Sequence, residues 1–202
     1  TLAENDVHVW LIDLVEPHPL LLSPDEHSRA ERFKVNTPRK QFTTARSALR
    51  LILSHYLDTA PLDVEFTYAE HSKPSIHHPE TVLQFNVSHS RDHALIALTS
   101  DLPVGVDIEC LERKTEFESL AKRFYSEAEQ SQLNALPIER REPSFLNVWT
   151  QKEAYLKALG SGLSRDTRSF TVSIDGGLVS QGGAKDEVGL ARCVEALATM
   201  AG

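Results

Sequence analysis

Between Gln84 and Glu109 the chain carries three short β-type stretches, QFNVSHS (84–90), HALIALTS (93–100) and LPVGVDIE (102–109), separated by brief polar connections. Short apolar-alternating runs at this spacing read as a meander of antiparallel strands. On either side lie segments of helical period. Asn36-Thr37-Pro38 opens a helix reaching about Leu57, with an apolar stripe of Phe42, Ala45, Leu49, Ile52 and Tyr56. Ser144 to Leu159 forms a second amphipathic helix, stopped by Gly160, and 137–143 reads as a polar, proline-containing break before it. A sheet with long helices against it is the economical solution for such a pattern.

The flanking signals fill in the order. HVWLIDL (8–14) and VEFTYAE (64–70) read as strands, HSKPSI as a turn, and SFTVSID (169–175) and a weaker 187–194 as late strands. Ser23-Pro24-Asp25-Glu26 and Ser126–Glu129 are capping boxes that start short helices, and a further helix runs from about Glu116 to Phe124. Strand, helix, strands therefore occurs once before about residue 103 and once after it.

Composition removes several function classes. A net charge of −8 over 202 residues argues against general nucleic-acid binding. No apolar run approaches the roughly 20 residues of a membrane helix. The two cysteines, Cys110 and Cys193, give neither a disulfide framework nor zinc spacing, so a cytoplasmic setting is expected. The chain opens at Thr1, which reads as a processed or trimmed start. Against the acidic background stands a basic island: Arg29, Arg32, Lys34, Arg39, Lys40, Arg46 and Arg50, with Glu31 as the single acid. It is either a solvated helix face or an anion-binding edge. Arg39, Arg46 and Arg50 fall in one line beside the apolar stripe, where arginines can frame a cleft.

Asp107 and Glu109 are two apart on a strand and share a face, which suits a solvent-facing strand end or a cation site. In WTQKEAYLKALG (149–160), Glu153 sits one turn after Trp149 and one turn before Lys157. It forms an ordinary pair with Lys157, or it joins Asp107 and Glu109 around a metal. All-oxygen ligation favours Mg²⁺ (or Mn²⁺), which takes its remaining ligands from water and substrate phosphate. Ser88 and His89 are adjacent on a strand and point to opposite faces, and no G-x-S-x-G is present, which excludes a serine-hydrolase triad.

Lys73-Pro74, FNVSHS (85–90), VGVDIE (104–109), RFYSEAE (123–129) and WTQKEAYLKALGSGL (149–163) stand in the order and spacing of the 4′-phosphopantetheinyl transferases. From about residue 30 to 163 the chain resembles the longer, surfactin-synthetase-activating type. The resemblance implies an α/β (α+β) fold of two pseudo-symmetric halves, 1–102 and 103–202, each a small, mainly antiparallel sheet with packed helices. Coenzyme A would lie in the cleft between them. It implies Mg²⁺ (or Mn²⁺) at Asp107, Glu109 and Glu153 together with the coenzyme A pyrophosphate, which Lys157 would contact; Asp107 and Lys152 are further expected coenzyme A-binding residues. Lys73, Pro74, Ser88 and His89 would hold the 3′-phosphoadenosine end. Gln41 replaces a basic residue that many relatives carry, which leaves Arg39, Lys40 or Arg46 for that phosphate.

The acceptor implied is a serine hydroxyl of an acyl or peptidyl carrier protein, and adenosine 3′,5′-bisphosphate is the second product. Glu153 is the favoured base for the serine proton, with Glu109 as its rival and Lys157 adding positive charge at the reacting phosphate. Carrier proteins are acidic. The basic island, with Lys122 and Arg123 beside Phe124-Tyr125, would attract them unless those aromatics belong to the core. Two halves in one chain permit a complete site in a monomer.

Overall fold

The computed structural model describes residues 2–3, 6–16, 18–68, 73–100, 102–111, 116–160, 165–174, 178–181 and 192–198, the last two as backbone. The sequence expectations at Ala69–Ser72, Ser161–Ser164, Asp175 and 187–191 fall outside these residues. Among the described residues the fold is mixed α/β, with five α-helices and small, mostly antiparallel sheets. The chain divides into two compact units, Thr1–Asp101 and Leu102–Gly202.

In the first unit, β1 (His8–Asp13), β4 (Leu83–Ser90) and β5 (His93–Ser100) make an antiparallel sheet in the order β1-β5-β4. The β4–β5 hairpin turns on Arg91-Asp92, with Arg91 at φ 48°. The short helix α1 (Pro24–Glu31) and the long helix α2 (Asn36–Leu57) precede a hairpin of β2 (Glu65–Tyr68) and β3 (Pro74–His78). The expected turn at HSKPSI is thus a strand from Pro74 onward. Proline fits there because the first residue of a strand can do without a ladder N–H. Leu49, Ile52 and Leu53 of α2 pack on Phe85, Ile96 and Leu98 to form the core.

In the second unit the first strand is β6 (Val104–Cys110). It pairs in parallel with β9 (Arg192–Ala198), Asp107 opposite Glu195. The helices α3 (Phe117–Phe124), α4 (Glu127–Ala135) and α5 (Ile138–Leu159) follow, then the hairpin β7 (Phe170–Val172) and β8 (Leu178–Gln181). The segment 137–143 is not a break: Pro137 caps α5, and Pro143 lies inside the helix. The buried face of Phe145, Leu146 and Val148 continues the helix through the proline, tertiary packing overriding local preference. Gly160 ends α5 in the left-handed region at φ 69°.

The two units repeat one buried joint. Glu26, third residue of α1, accepts the Ser23 backbone N–H at 2.9 Å and the Arg50 Nε at 2.7 Å. Arg50, 2% exposed, also donates to the carbonyls of Pro61 and Val64 at 2.8 Å each. In the second unit Glu129, third residue of α4, accepts the Ser126 N–H at 2.8 Å and pairs with Lys152 Nζ at 2.8 Å. Lys152 donates onward to the carbonyls of Thr167 and Phe170 at 2.7 and 2.8 Å. Each joint ties a capped short helix, a 22-residue helix and a one-turn 3-10 helix leading into or toward a hairpin strand. In both, the buried carboxylate has a cation and a backbone donor, as a charge out of water requires.

Candidate functional site

Gly105, Asp107 and Glu109 alternate onto one face of β6. That face is covered by α5. A Cβ at Gly105 would stand 1.9 Å from the Ala154 carbonyl oxygen and 2.4 Å from the Ala158 nitrogen, so only glycine admits the helix this close. Glu153 and Lys157 precede Ala154 and Ala158 by one residue each, and the close approach brings them beside the strand acids. Lys157 Nζ lies 2.6 Å from Asp107 Oδ1. Asp107 is 5% exposed, so the reading of a wet strand end is wrong for it. Lys157 pairs with Asp107 across the sheet–helix contact.

Glu153 holds its proton more tightly than an ordinary carboxyl. Burial is the leading cause, the negative charges of Asp107 and Glu109 add to it, and Lys157 opposes. Four charged groups from two elements therefore act on one another. They do not form a ready-made metal centre: among the described residues no three His, Cys, Asp or Glu side chains converge as a metal-binding group. The cation beside Asp107 is the Lys157 ammonium. The donor chemistry, oxygen only, suits a hard divalent ion, and the crowding of acids felt by Glu153 is what such an ion relieves.

Lys152 is excluded from this centre. It is 2% exposed, and its three N–H donors go to Glu129, Thr167 and Phe170, so none remains for a phosphate. Tyr125 belongs to the core, its hydroxyl donating to the Phe145 carbonyl at 2.6 Å, and Phe124 packs edge-on against Trp149. Lys122 and Arg123 remain exposed in the last turn of α3.

The first unit holds a separate cavity of about 390 Å³. Its aromatic wall is Phe33, Phe42 and Tyr68, and Arg29, Gln41, Arg46, Pro74 and His89 complete it. Strand alternation presents Val87 and His89 to this space, while Ser88 is buried on the other face. Lys73 precedes Pro74, half-buried, and burial makes its ammonium more acidic than an exposed lysine's. The three basic candidates separate here. Arg39 donates to the carbonyls of Ala30 and Phe33, and Lys40 to that of Val15. Arg46 alone of the three lines the cavity. Arg50, expected to frame a cleft, is locked in the buried joint.

Sequence reasoning passed over Gly105, Glu26 and the aromatic wall. A lone glycine inside a strand pattern is a signal of close backbone approach and was available for Gly105. The capping-box reading accounted for Glu26 locally and gave no sign of its distant arginines.

Comparison with known proteins gives the family of the chain. A family model described as the 4′-phosphopantetheinyl transferase superfamily matches residues 103–186, and one described as 4′-phosphopantetheinyl transferase, N-terminal, matches residues 18–101. The chain is 41% identical over 173 residues to the 4′-phosphopantetheinyl transferase HetI of Nostoc sp., covering 82% of this chain and 73% of that protein. It is 38% identical over 161 residues to the putative 4′-phosphopantetheinyl transferase slr0495 of Synechocystis sp., covering 77% and 65%. To the 4′-phosphopantetheinyl transferase Sfp of Bacillus subtilis it is 32% identical over 156 residues, covering 76% and 66%. The chain thus spans about two thirds to three quarters of the length of these relatives. It belongs to the 4′-phosphopantetheinyl transferase superfamily, enzymes that transfer phosphopantetheine to carrier proteins. No helix among the described residues is long and apolar enough to cross a membrane.

Proposed function

We propose that this chain transfers 4′-phosphopantetheine from coenzyme A to a serine of an acyl or peptidyl carrier protein, with Mg²⁺, releasing adenosine 3′,5′-bisphosphate. The residues we assign to the nucleotide end belong to the first unit and those we assign to the pyrophosphate to the second. The observation that carries the reading is the group at β6 and α5: Lys157 on Asp107 at 2.6 Å, with Glu153 crowded by both strand acids.

Asp107, Glu109 and Glu153 would hold the metal, which when bound supplies positive charge to the pyrophosphate as its P–O bond breaks. Lys157 brings a second positive charge to the same oxygens once it leaves Asp107. The serine Oγ attacks the phosphorus that bears the pantetheine arm, and the bond from that phosphorus to the bridging oxygen breaks. Glu153 accepts the serine proton, for which its raised proton affinity suits it, and Glu109 is the alternative acceptor. The leaving oxygen departs with adenosine 3′,5′-bisphosphate. In the cavity of the first unit, His89 and Arg46 face the 3′-phosphate and the aromatic wall takes the adenine, with Lys73 and Pro74 at the rim.

The test is a mass measurement on apo carrier proteins incubated with purified protein, coenzyme A and Mg²⁺. The carrier gains the mass of phosphopantetheine, and chelation of Mg²⁺ stops the gain. Absence of any gain across carriers from several pathways overturns the reading. Calorimetry addresses the metal separately: since the carboxylates do not converge on their own, Mg²⁺ binds tightly only with coenzyme A present.

A further inference from the structure

Arg46 is held in an unusual state. Its side chain is 10% exposed, and its Nη1 is buried with no hydrogen-bond partner. The guanidinium lies over the Phe66 ring at 5.0 Å and the Phe42 ring at 5.9 Å, and Phe42 carries Arg29 at 5.3 Å as well. A desolvated cation with an unused donor at the wall of a cavity lacks its acceptor. Among the described residues the carboxylate paired with it is Glu26, Oε1 at 3.5 Å from Arg46 Nε. Glu26 Oε2 is already taken by Ser23 and Arg50, while Oε1 makes no hydrogen bond. Glu26 itself is 1% exposed and does not line the cavity.

We infer that Glu26 is a positioning residue for coenzyme A: anchored by Arg50 and the α1 N-terminus, it holds Arg46 at the cavity wall for the 3′-phosphate, and so sets discrimination between coenzyme A and dephospho-coenzyme A. This rests on the proposed nucleotide role of the cavity. One carboxylate shared by two guanidiniums leaves the pair with surplus positive charge, and the ligand phosphate supplies the missing anion. Arg50 anchors the carboxylate, so Glu26 cannot swing into the cavity and compete with the ligand. Arg46 is kept from the solvent-screened positions an exposed arginine would sample, and its contact gains strength from the low local dielectric.

The experiment measures the ratio of KM for dephospho-coenzyme A to KM for coenzyme A, a quantity independent of how much of each preparation is folded. It is applied to the wild type, Arg46→Gln, Glu26→Gln and the double variant. Arg46→Gln lowers the ratio about tenfold, the loss of one charge-assisted hydrogen bond. Glu26→Gln lowers it several-fold, and adding Glu26→Gln to Arg46→Gln lowers it no further, because the first acts through the second. An unchanged ratio in Arg46→Gln overturns the cavity's nucleotide role. A reduced ratio in Arg46→Gln with an unchanged one in Glu26→Gln overturns the positioning role alone, and so do additive effects in the double variant. Glu26→Asp keeps the charge that Arg50 needs and draws the carboxylate back from Arg46. If Glu26→Gln does not fold, this variant carries the test, and a wild-type ratio in it overturns the inference.

Discussion

Lys157 and Asp107 meet at 2.6 Å across fifty residues of chain because nothing but hydrogen stands on Gly105 between strand and helix. The ion pair is largely out of water, Lys157 being 28% exposed and Asp107 7% by side chain. The cost of desolvating both groups offsets much of their attraction, so the pair adds little net stability, and Lys157, the more exposed partner, can turn to another anion. Its role is to keep an ammonium beside acids that would otherwise repel.

Asp107→Ala is expected to lower turnover by a factor on the order of 10³ while the thermal transition shifts by only a few degrees. Steady-state assays beside thermal melts check this. Full activity in the variant removes Asp107 from the centre.

Gly105→Ala places a methyl carbon inside the van der Waals envelope of α5. Since that contact is backbone and not the end of a flexible side chain, the helix must move. We expect destabilisation of about 3 kcal/mol and loss of turnover together, read by denaturant unfolding and assay. A stable, active variant would mean that the approach of α5 to β6 does not set the site.

The Glu153 carboxyl gives a pH signature. Its folded-state pKa is raised above the ordinary 4.5 by burial and the neighbouring acids. Stability from such a group is full below the unfolded value and is lost as pH rises through the folded value. In chelator-containing buffer, Glu153→Gln therefore gains stability relative to wild type as pH climbs from 4 to 7, and the two converge at the acid end. A constant difference across the series contradicts the assigned shift.

Lys73 is expected to act on substrate affinity. Lys73→Ala raises the KM for coenzyme A more than it lowers kcat. Burial lowers the lysine pKa, so the wild-type KM starts to rise at a lower pH than an exposed ammonium would dictate, and Lys73→Arg flattens that rise. KM–pH profiles of the three proteins decide it.

Lys152→Met strands Glu129 in the core and costs about 3–5 kcal/mol. Per folded molecule its KM for coenzyme A stays at the wild-type value, because Lys152 reaches no ligand. A changed KM would restore Lys152 to the binding residues.

Much of this arrangement was legible from local pattern. The capping serines, the β4–β5 hairpin and the glycine stop of α5 follow from neighbours a few residues apart, and the structure has them where those neighbours require. The burial of Asp107 was not legible, since it depends on a helix fifty residues away and on a missing Cβ. Nor was the parallel pairing of β6 with β9: period-two alternation identifies a strand but says nothing about which partner it joins. The arginine line on α2 shows the same limit. Helical spacing put Arg39, Arg46 and Arg50 in one row, yet Arg39 ends on backbone carbonyls, Arg50 in a buried joint and Arg46 at a cavity. Only partners distant in sequence separate the three.

The joint that recurs in each unit gives a ruler for comparing them. Counting one and five places beyond the buried cation arrives at Glu153 and Lys157 after Lys152, but at Leu51 and His55 after Arg50. The same scaffolding thus stands twice, furnished with a carboxylate and an ammonium at one address and with neither at the other. A designer wanting a second reactive centre in this chain would begin with those two vacant addresses.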